Sequence, residues 1–224
     1  MCRSANSGNR WPVIGNRLSV YRLPITVYCL LFFLTACASV EPVVKVGLVG
    51  PFEGTNRAIG YDVIYSARLA VREINAAGGI DGHRVSLVAL DDGGDVVLAR
   101  ETAVSLTLDP AVVAVVGHWL PETNAAVRDV YADAGLSLIV AGEAPFDTAV
   151  PSQYPDSFRQ AYTSVTPFNE TPGPYAAPAY DAFQLILLAL DTAGAEGNMT
   201  RASVAAALAN LEYEGLTGTV YQHR

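Results

Sequence analysis

Val43-Val44-Lys45-Val46-Gly47-Leu48-Val49 is a short, mostly β-branched run that stops at Gly50-Pro51. A nearly continuous apolar run of this length, closed by two turn formers, is the pattern of a strand buried on both faces of a parallel sheet. A parallel neighbour requires a crossover, and the next segment of the chain supplies one. Between Tyr61 and Ala77 the apolar residues Val63, Ile64, Ala67, Val71 and Ile74 recur at helical spacing, with Arg68, Arg72 and Glu73 elsewhere on the cylinder, and Gly78-Gly79 ends the pattern.

The alternation continues. Val85 to Leu90 reads as a second strand, Asp95 as the cap of a helix that runs to Leu108 and is ended by Asp109-Pro110, and Val112 to Val116 as a third strand. Pro121 suits the first turn of another helix, Glu122 complements its positive end, and Gly135 stops it before a fourth strand at Leu136 to Val140. This β-α-β-α-β order predicts a doubly wound α/β lobe over residues 43–142. After Gly142 the pattern breaks into a proline-rich piece with a short helix near Asp156 to Thr163. A helical block with Tyr180, Phe183, Leu187 and Leu190 on one face follows, then a helix capped by Thr200 running to Leu211, and a strand near Leu216 to Tyr221.

Upstream of the first strand the character is different. Arg3, Arg10, Arg17 and Arg22, with no acid before Glu41, precede the apolar run Leu23 to Leu34. That run is about half the ~20 residues a membrane-spanning helix needs, and Pro24 and Thr26 interrupt it, so it reads as an export signal. It ends in Leu34-Thr35-Ala36-Cys37, which looks like a bacterial lipobox with Cys37 as the lipidated residue. The expected layout is a lipoprotein signal peptide over 1–36 and an anchor linker over 37–42. Cys2 and Cys29 both lie in the leader, so no disulfide is expected after cleavage.

With 51% hydrophobic and 16% charged residues the chain has enough apolar material for a packed core. Cleavage before Cys37 removes four of the 14 basic residues and no acid, leaving 10 basic against 22 acidic side chains, a net charge of −12. Nucleic acid is therefore not an expected partner.

In open parallel sheets ligands lie at the carboxyl ends of the strands, where loops converge and helix amino termini offer free N–H groups. Those ends are Pro51 to Arg57, Asp91 to Asp95, His118 to Thr123 and Ala141 to Phe146. Gly47, Gly50 and Gly54 invite comparison with a dinucleotide-binding turn. That turn needs an acid about 20 residues on and a helix opening on the glycines, whereas Asp91 lies twice as far away and a long loop intervenes. Asp91, Asp92 and Asp95 read as a solvated turn and helix cap rather than as metal ligands. His83, His118 and His223 match no zinc spacing, and nucleophile elbow, paired-cysteine and phosphate-loop motifs are missing, so neither an enzyme nor a cofactor is expected. Trp119 beside His118 reads equally as the floor of a pocket and as an edge-of-core residue.

Val46-Gly47-Leu48-Val49-Gly50-Pro51, followed by Ala70-Val71-Arg72-Glu73-Ile74-Asn75-Ala76-Ala77-Gly78-Gly79-Ile80-Asp81-Gly82, resembles the branched-chain amino acid binding family of ABC transporters. The resemblance continues through Leu90-Asp91-Asp92, Val115-Val116-Gly117-His118 and Tyr131-Ala132-Asp133-Ala134-Gly135, in the family's order. It resumes at Gly173-Pro174-Tyr175, Ala179-Tyr180-Asp181-Ala182 and Leu216-Thr217-Gly218-Thr219. It implies a type 1 periplasmic binding fold of two lobes closing on a small polar solute such as an amino acid, outside the cytoplasm, with an ABC transporter permease as partner and, through Cys37, a membrane anchor. The candidate ligand-binding residues are Phe52, Glu53, Tyr61, His118, Trp119, Glu122, Thr123 and Gly142.

Two departures matter. Residues 143–224 are too few for a second lobe of ordinary domain size, roughly 100 to 150 residues. The expectation is a remnant of that lobe plus carboxyl-terminal helices, with residues lost between about Leu138 and Pro151 and again after Tyr221. A shortened chain of this kind has an alternative reading, a single-lobe sensor or a lipoprotein remnant that no longer clamps solute. The second departure is Pro121, standing where the family's amino acid binders place a small hydroxyl residue that holds the ligand carboxylate. Thr123 offers a hydroxyl nearby, but Pro121 removes an N–H donor and Glu122 repels a carboxylate.

Overall fold

The computed structural model describes residues 41–216 and 218–222. The leader over 1–36, the lipobox and Cys37 lie outside the described residues, as does His223.

Strand β1 (Val43–Gly50) is central to a four-stranded sheet of order β2-β1-β3-β4, where β2 is Arg84–Asp91, β3 is Val112–Val116 and β4 is Ser137–Ile139. All pairings are parallel, with Val43 opposite Arg84 through Gly50 opposite Asp91 on one side and Val46 opposite Ala114 on the other. Helices α1 (Arg57–Ala76), α2 (Val96–Thr107) and α3 (Pro121–Asp133) make the crossovers. The expected doubly wound sheet is present.

Each face of β1 has its own cover. Val44, Val46 and Leu48 pack with Val63, Ile64 and Ala67 of α1. Val49 packs on the opposite side with Ala99, Ala103 and Leu106 of α2 and with Val127 and Tyr131 of α3. Gly47 lets α2 come this close: a Cβ there would stand 3.0 Å from Val115 Cγ2 and 3.1 Å from Leu106 Cδ1. Asn75 ties the end of α1 to β2, donating from Nδ2 to Val85 O at 2.8 Å and accepting from Val85 N at 2.9 Å. Asp95 caps α2 as expected, accepting from Val97 N and Leu98 N. Helix α1 starts four residues earlier than Tyr61: Arg57 and Ala58 are exposed at its start, and buried Ile59, four residues before Val63, extends the apolar face into the first turn.

The described residues after 143, read from sequence as a second-lobe remnant plus terminal helices, pack with the lobe before them: the described chain from Glu41 onward is one compact unit. After α4 (Asp156–Thr163), helix α5 (Ala176–Ala195) lies against α1 and is buried almost all round, with Phe183, Leu185, Ile186 and Leu190 fully enclosed. It shares one apolar cluster with Val46 and Leu48 and meets the sheet at β3. Ser66 Oγ donates to Ala176 O at 2.7 Å, and Tyr180 OH donates to Glu73 Oε2 at 2.6 Å across the same junction. Thr200 caps α6 (Arg201–Leu208) in a reciprocal box with Ser203, and that helix ends three residues before the expected Leu211. The expected terminal strand is the second arm of a small antiparallel hairpin, β5 (Glu212–Glu214) with β6 (Val220–Gln222). No helix among the described residues is long and apolar enough to cross a membrane.

Arg201 fastens this carboxyl-terminal segment to the sheet. Its Nε donates to Val112 O at 2.9 Å, Nη1 to Ala134 O at 3.3 Å, and Nη2 to Thr107 O at 3.0 Å and Asp109 O at 2.8 Å. One guanidinium thus satisfies carbonyls at the ends of α2 and α3 and at the start of β3, a task its rigid fork suits and a lysine's point charge does not. Arg201→Lys and Arg201→Met are each expected to lower unfolding free energy by about 2 to 4 kcal/mol, since several half-buried carbonyls lose their donor. Urea titration followed by circular dichroism measures this, and a loss under about 0.5 kcal/mol would show that the clamp is redundant.

Candidate functional site

The four strand-end loops are held to one another by a small set of polar side chains. Asp91 Oδ1 accepts from Phe52 N at 2.7 Å, Gly93 N at 2.9 Å and Glu53 N at 3.4 Å, so it fixes the loop after β1 against the loop after β2. Asp92 is fully buried, its Oδ1 accepting from Gly94 N and its Oδ2 lying 2.7 Å from His118 Nδ1. His118 Nε2 stands 3.2 Å from Tyr131 OH. Both ring nitrogens of His118 are thus engaged, one by a carboxylate and one by a hydroxyl. Burial and the charge of Asp92 push the Tyr131 hydroxyl's pKa far up, so it remains a donor.

This chain links the ends of β2 and β3 to α3 through the interior. It takes the His118 ring, a candidate ligand group, away from the surface into contact with Asp92 and Tyr131. Asp91, Asp92 and Asp95 serve as a loop brace, a histidine partner and a helix cap.

Trp119 is 2% exposed. Its indole edge lies against the end of β1, where a Cβ on Gly50 would come within 2.9 Å of Cδ1. Tyr175, preceding α5, meets it edge-on with ring centroids 5.9 Å apart and an interplanar angle of 89°. Trp119 Nε1 finds no hydrogen-bond partner among the described residues. Gly142 packs directly on the Trp119 backbone with φ +76°, and a Cβ there would sit 2.2 Å from Trp119 O. Thr123 is buried and its hydroxyl donates to Leu120 O at 3.0 Å. Glu53 and Glu122 are exposed, Phe52 is half-buried against Gly60, and Tyr61 is 50% exposed on α1.

Phe52, Glu53, Trp119, Glu122, Thr123 and Gly142 therefore belong to the carboxyl end of the sheet, while the side chain of His118 serves the interior. The sequence reading missed Tyr175 as the ring that seats Trp119. It also missed Asn124, whose buried amide donates to Ala141 O at 2.9 Å and Glu143 Oε1 at 3.2 Å and so spans the ends of β3 and β4. Neither carries a pattern beyond a helix start. At the opposite end of the sheet, a hollow of about 270 Å³ is bounded by Asp81, His83, Asn198 and Met199, remote from the strand carboxyl ends.

Asp62 secures the rim from the other side. Its carboxylate accepts from Gly173 N and Tyr175 N, each at 3.2 Å, positioning the segment that carries Tyr175. Burial raises its pKa above the usual carboxylate value, the two N–H groups oppose this, and Glu170 adds to the rise.

The braced loops of this parallel α/β lobe converge at the strand carboxyl ends with an indole among them, which is where open parallel sheets carry their ligands. The family model described as periplasmic binding protein matches residues 43–159, just over half of the chain, and the chain belongs to that family. An amino acid binding protein of Pseudomonas aeruginosa is 35% identical over 99 residues, which are 44% of this chain and 26% of that one. The Leu/Ile/Val-binding protein of Escherichia coli K12 is 34% identical over 107 residues, 47% of this chain and 29% of the relative. The chain thus matches less than a third of the length of these curated relatives. The branched-chain amino acid transporter substrate-binding protein of Streptococcus pneumoniae, solved with isoleucine, superposes with a TM-score of 0.64 at 18% identity, covering 79% of this chain and 90% of that one. An ABC transporter substrate-binding protein of Sphaerobacter thermophilus gives 0.65 at 13% identity, covering 81% and 89%. At these identities the structural likeness establishes the fold.

Asp62 yields a pH dependence of defined sign. A carboxyl whose folded pKa is raised stabilises the fold while protonated, and that contribution is lost as pH rises from the unfolded value toward the folded one. Across that acid window, just above the ordinary aspartate value of 3.8, the native chain is expected to lose stability with rising pH relative to Asp62→Asn, and the two curves to run parallel at higher pH. Denaturant midpoints at several pH values test it; curves parallel throughout would remove burial as the dominant influence on Asp62.

Proposed function

We propose that this chain is an extracytoplasmic solute-binding lipoprotein that captures a small polar solute, an amino acid or a related compound, at the carboxyl ends of its strands for an ABC transporter permease. The observation that carries this reading is the buried Trp119 with its unpartnered Nε1–H, set among the converging loops of β1, β3 and β4. An unpaired buried donor costs free energy in the empty state, and a ligand oxygen that satisfies it recovers that cost. The likeness to amino acid binding proteins supports solute capture, and their role as binding proteins speaks against an enzyme. Phe52, Glu53, Tyr61, Trp119, Glu122, Thr123 and Gly142 are the proposed ligand-facing set, with His118 holding the loops beneath them.

The single compact body favours a more specific form of the proposal. Here one lobe is closed by its own carboxyl-terminal helices, and the opposing wall of the cleft is supplied from outside residues 41–222 or is absent. In the latter case the protein acts as a single-lobe sensor, the second reading. Capture by closure needs both walls, because affinity for small solutes comes from burying most of their surface.

Thermal melting and calorimetry of the purified protein against amino acids, amides, amines and small sugars tests capture. A rise in melting temperature with one solute class, lost in Trp119→Phe, which keeps a ring but removes the N–H, is the expected outcome. A cooperative melt that no solute shifts would favour the sensor reading. Export and anchoring are tested separately: Cys37→Ser is expected to abolish incorporation of labelled lipid and release the protein from membranes, and unchanged labelling would refute the lipobox.

A further inference from the structure

Helix α2 carries an apolar face that nothing among the described residues covers. Half of the large apolar side chains exposed among those residues lie on α2 or on Leu108, which caps it. Ala99, Ala103 and Leu106 form its buried side. Val97, Val104 and Leu108, at 66%, 46% and 78% exposed, recur at helical spacing on the side turned away from the sheet. Scattered exposed aliphatic residues are ordinary, but a row of them along one helix is the kind of surface that partner proteins cover.

The charges set between those residues indicate the partner. Along this face the order is Val97, Arg100, Glu101, Val104: an apolar residue at each end, with a basic and an acidic one between them. Read from the opposite end, the order is apolar, acidic, basic, apolar. A second copy laid antiparallel, about a two-fold axis between residues 100 and 101, therefore sets Val97 on Val104 and Arg100 against Glu101. Each contact occurs twice, as in any interface of this symmetry. The same register carries Leu108 toward the small Gly93-Gly94 turn ahead of the other helix. Glu101 is exposed and belongs to no ion pair among the described residues. Arg100 holds α3 through Nη1 and Nη2, which donate to Asp129, and its Nε–H has no acceptor among the described residues.

We propose that α2 is a self-association surface, pairing antiparallel with the α2 of a second copy of this chain. Val97, Val104 and Leu108 supply the buried apolar area, and the reciprocal Arg100–Glu101 contacts set the register. The inference does not depend on the solute-capture reading. One pair of helices is a small interface, so the dimer is a weak one, with a dissociation constant of about 10 to 100 µM.

Sedimentation equilibrium of the full chain, in detergent matched to the solvent density so that the micelle adds no weight, measures the dimer across that concentration range. Glu101→Lys and Arg100→Glu each turn both ion contacts into like-charge pairs, and each is expected to weaken dimerisation by about tenfold or more. A one-to-one mixture of the two variants restores both contacts and is expected to form a heterodimer at close to the native affinity. Val104→Ser, which touches no ion pair, is expected to weaken the dimer by about tenfold as well, while Val150→Ser, at an exposed valine elsewhere, leaves it unchanged. Should Arg100→Glu, which also gives up Asp129, fail to fold, Glu101→Lys and Val104→Ser decide the matter alone. A native chain that stays monomeric throughout, a dimer that Glu101→Lys and Val104→Ser leave intact, or a mixture of folded variants that pairs no better than its components would overturn the proposal.

Discussion

The structure depends on covering both faces of one strand. β1 sits between β2 and β3, and its side chains alternate between two separate apolar clusters. A strand in that position is stable only if each face is removed from water, at a benefit of roughly 25 cal/mol for every Å² of apolar surface. Helices α2 and α3 cover one face, and Gly47 permits the close approach of α2. On the other face α1 packs on β1, and α5 lies beside α1 in the same cluster and meets β3. The carboxyl-terminal third is therefore part of the lobe's own core.

Polar contacts fix how that third docks. Asp62 receives the turn before α5, Ser66 and Glu73 bind α5 itself, and Arg201 gathers loose carbonyls below the sheet. At the carboxyl end of the sheet, Asp91 and the Asp92–His118–Tyr131 chain hold the loops. Each is a buried or half-buried group whose partners are supplied, the condition under which polar groups rigidify a structure. Trp119 Nε1 and Asn124 Oδ1 depart from that pattern, both at the end where strand loops converge.

Much of the first lobe was legible because its signals are local. The β-branched run at Val43–Val49, the helical spacing of Val63, Ile64, Ala67, Val71 and Ile74, the cap Asp95 and the helix-opening Pro121 each act through neighbours a few residues away. The site was legible only in part. Proximity to a strand end nominated both His118 and Trp119, yet adjacent residues point to opposite sides, and only the placement of Tyr131 and Tyr175 shows which ring serves the interior and which the rim.

The sequence by itself determined the parallel α/β class, the order of the first four strands, the helix caps and the acidic balance, because periodicity, capping and charge are written in short windows. Only the tertiary structure decided that the described residues after 143 pack with the first lobe as one unit, that His118 is occupied by Asp92 and Tyr131, and that Trp119 and Asn124 keep polar atoms without partners among the described residues. These depend on partners from 13 residues away, as for His118 and Tyr131, to 113 residues away, as for Asp62 and Tyr175. Contacts over such separations arise from packing, and no local pattern in the chain encodes them.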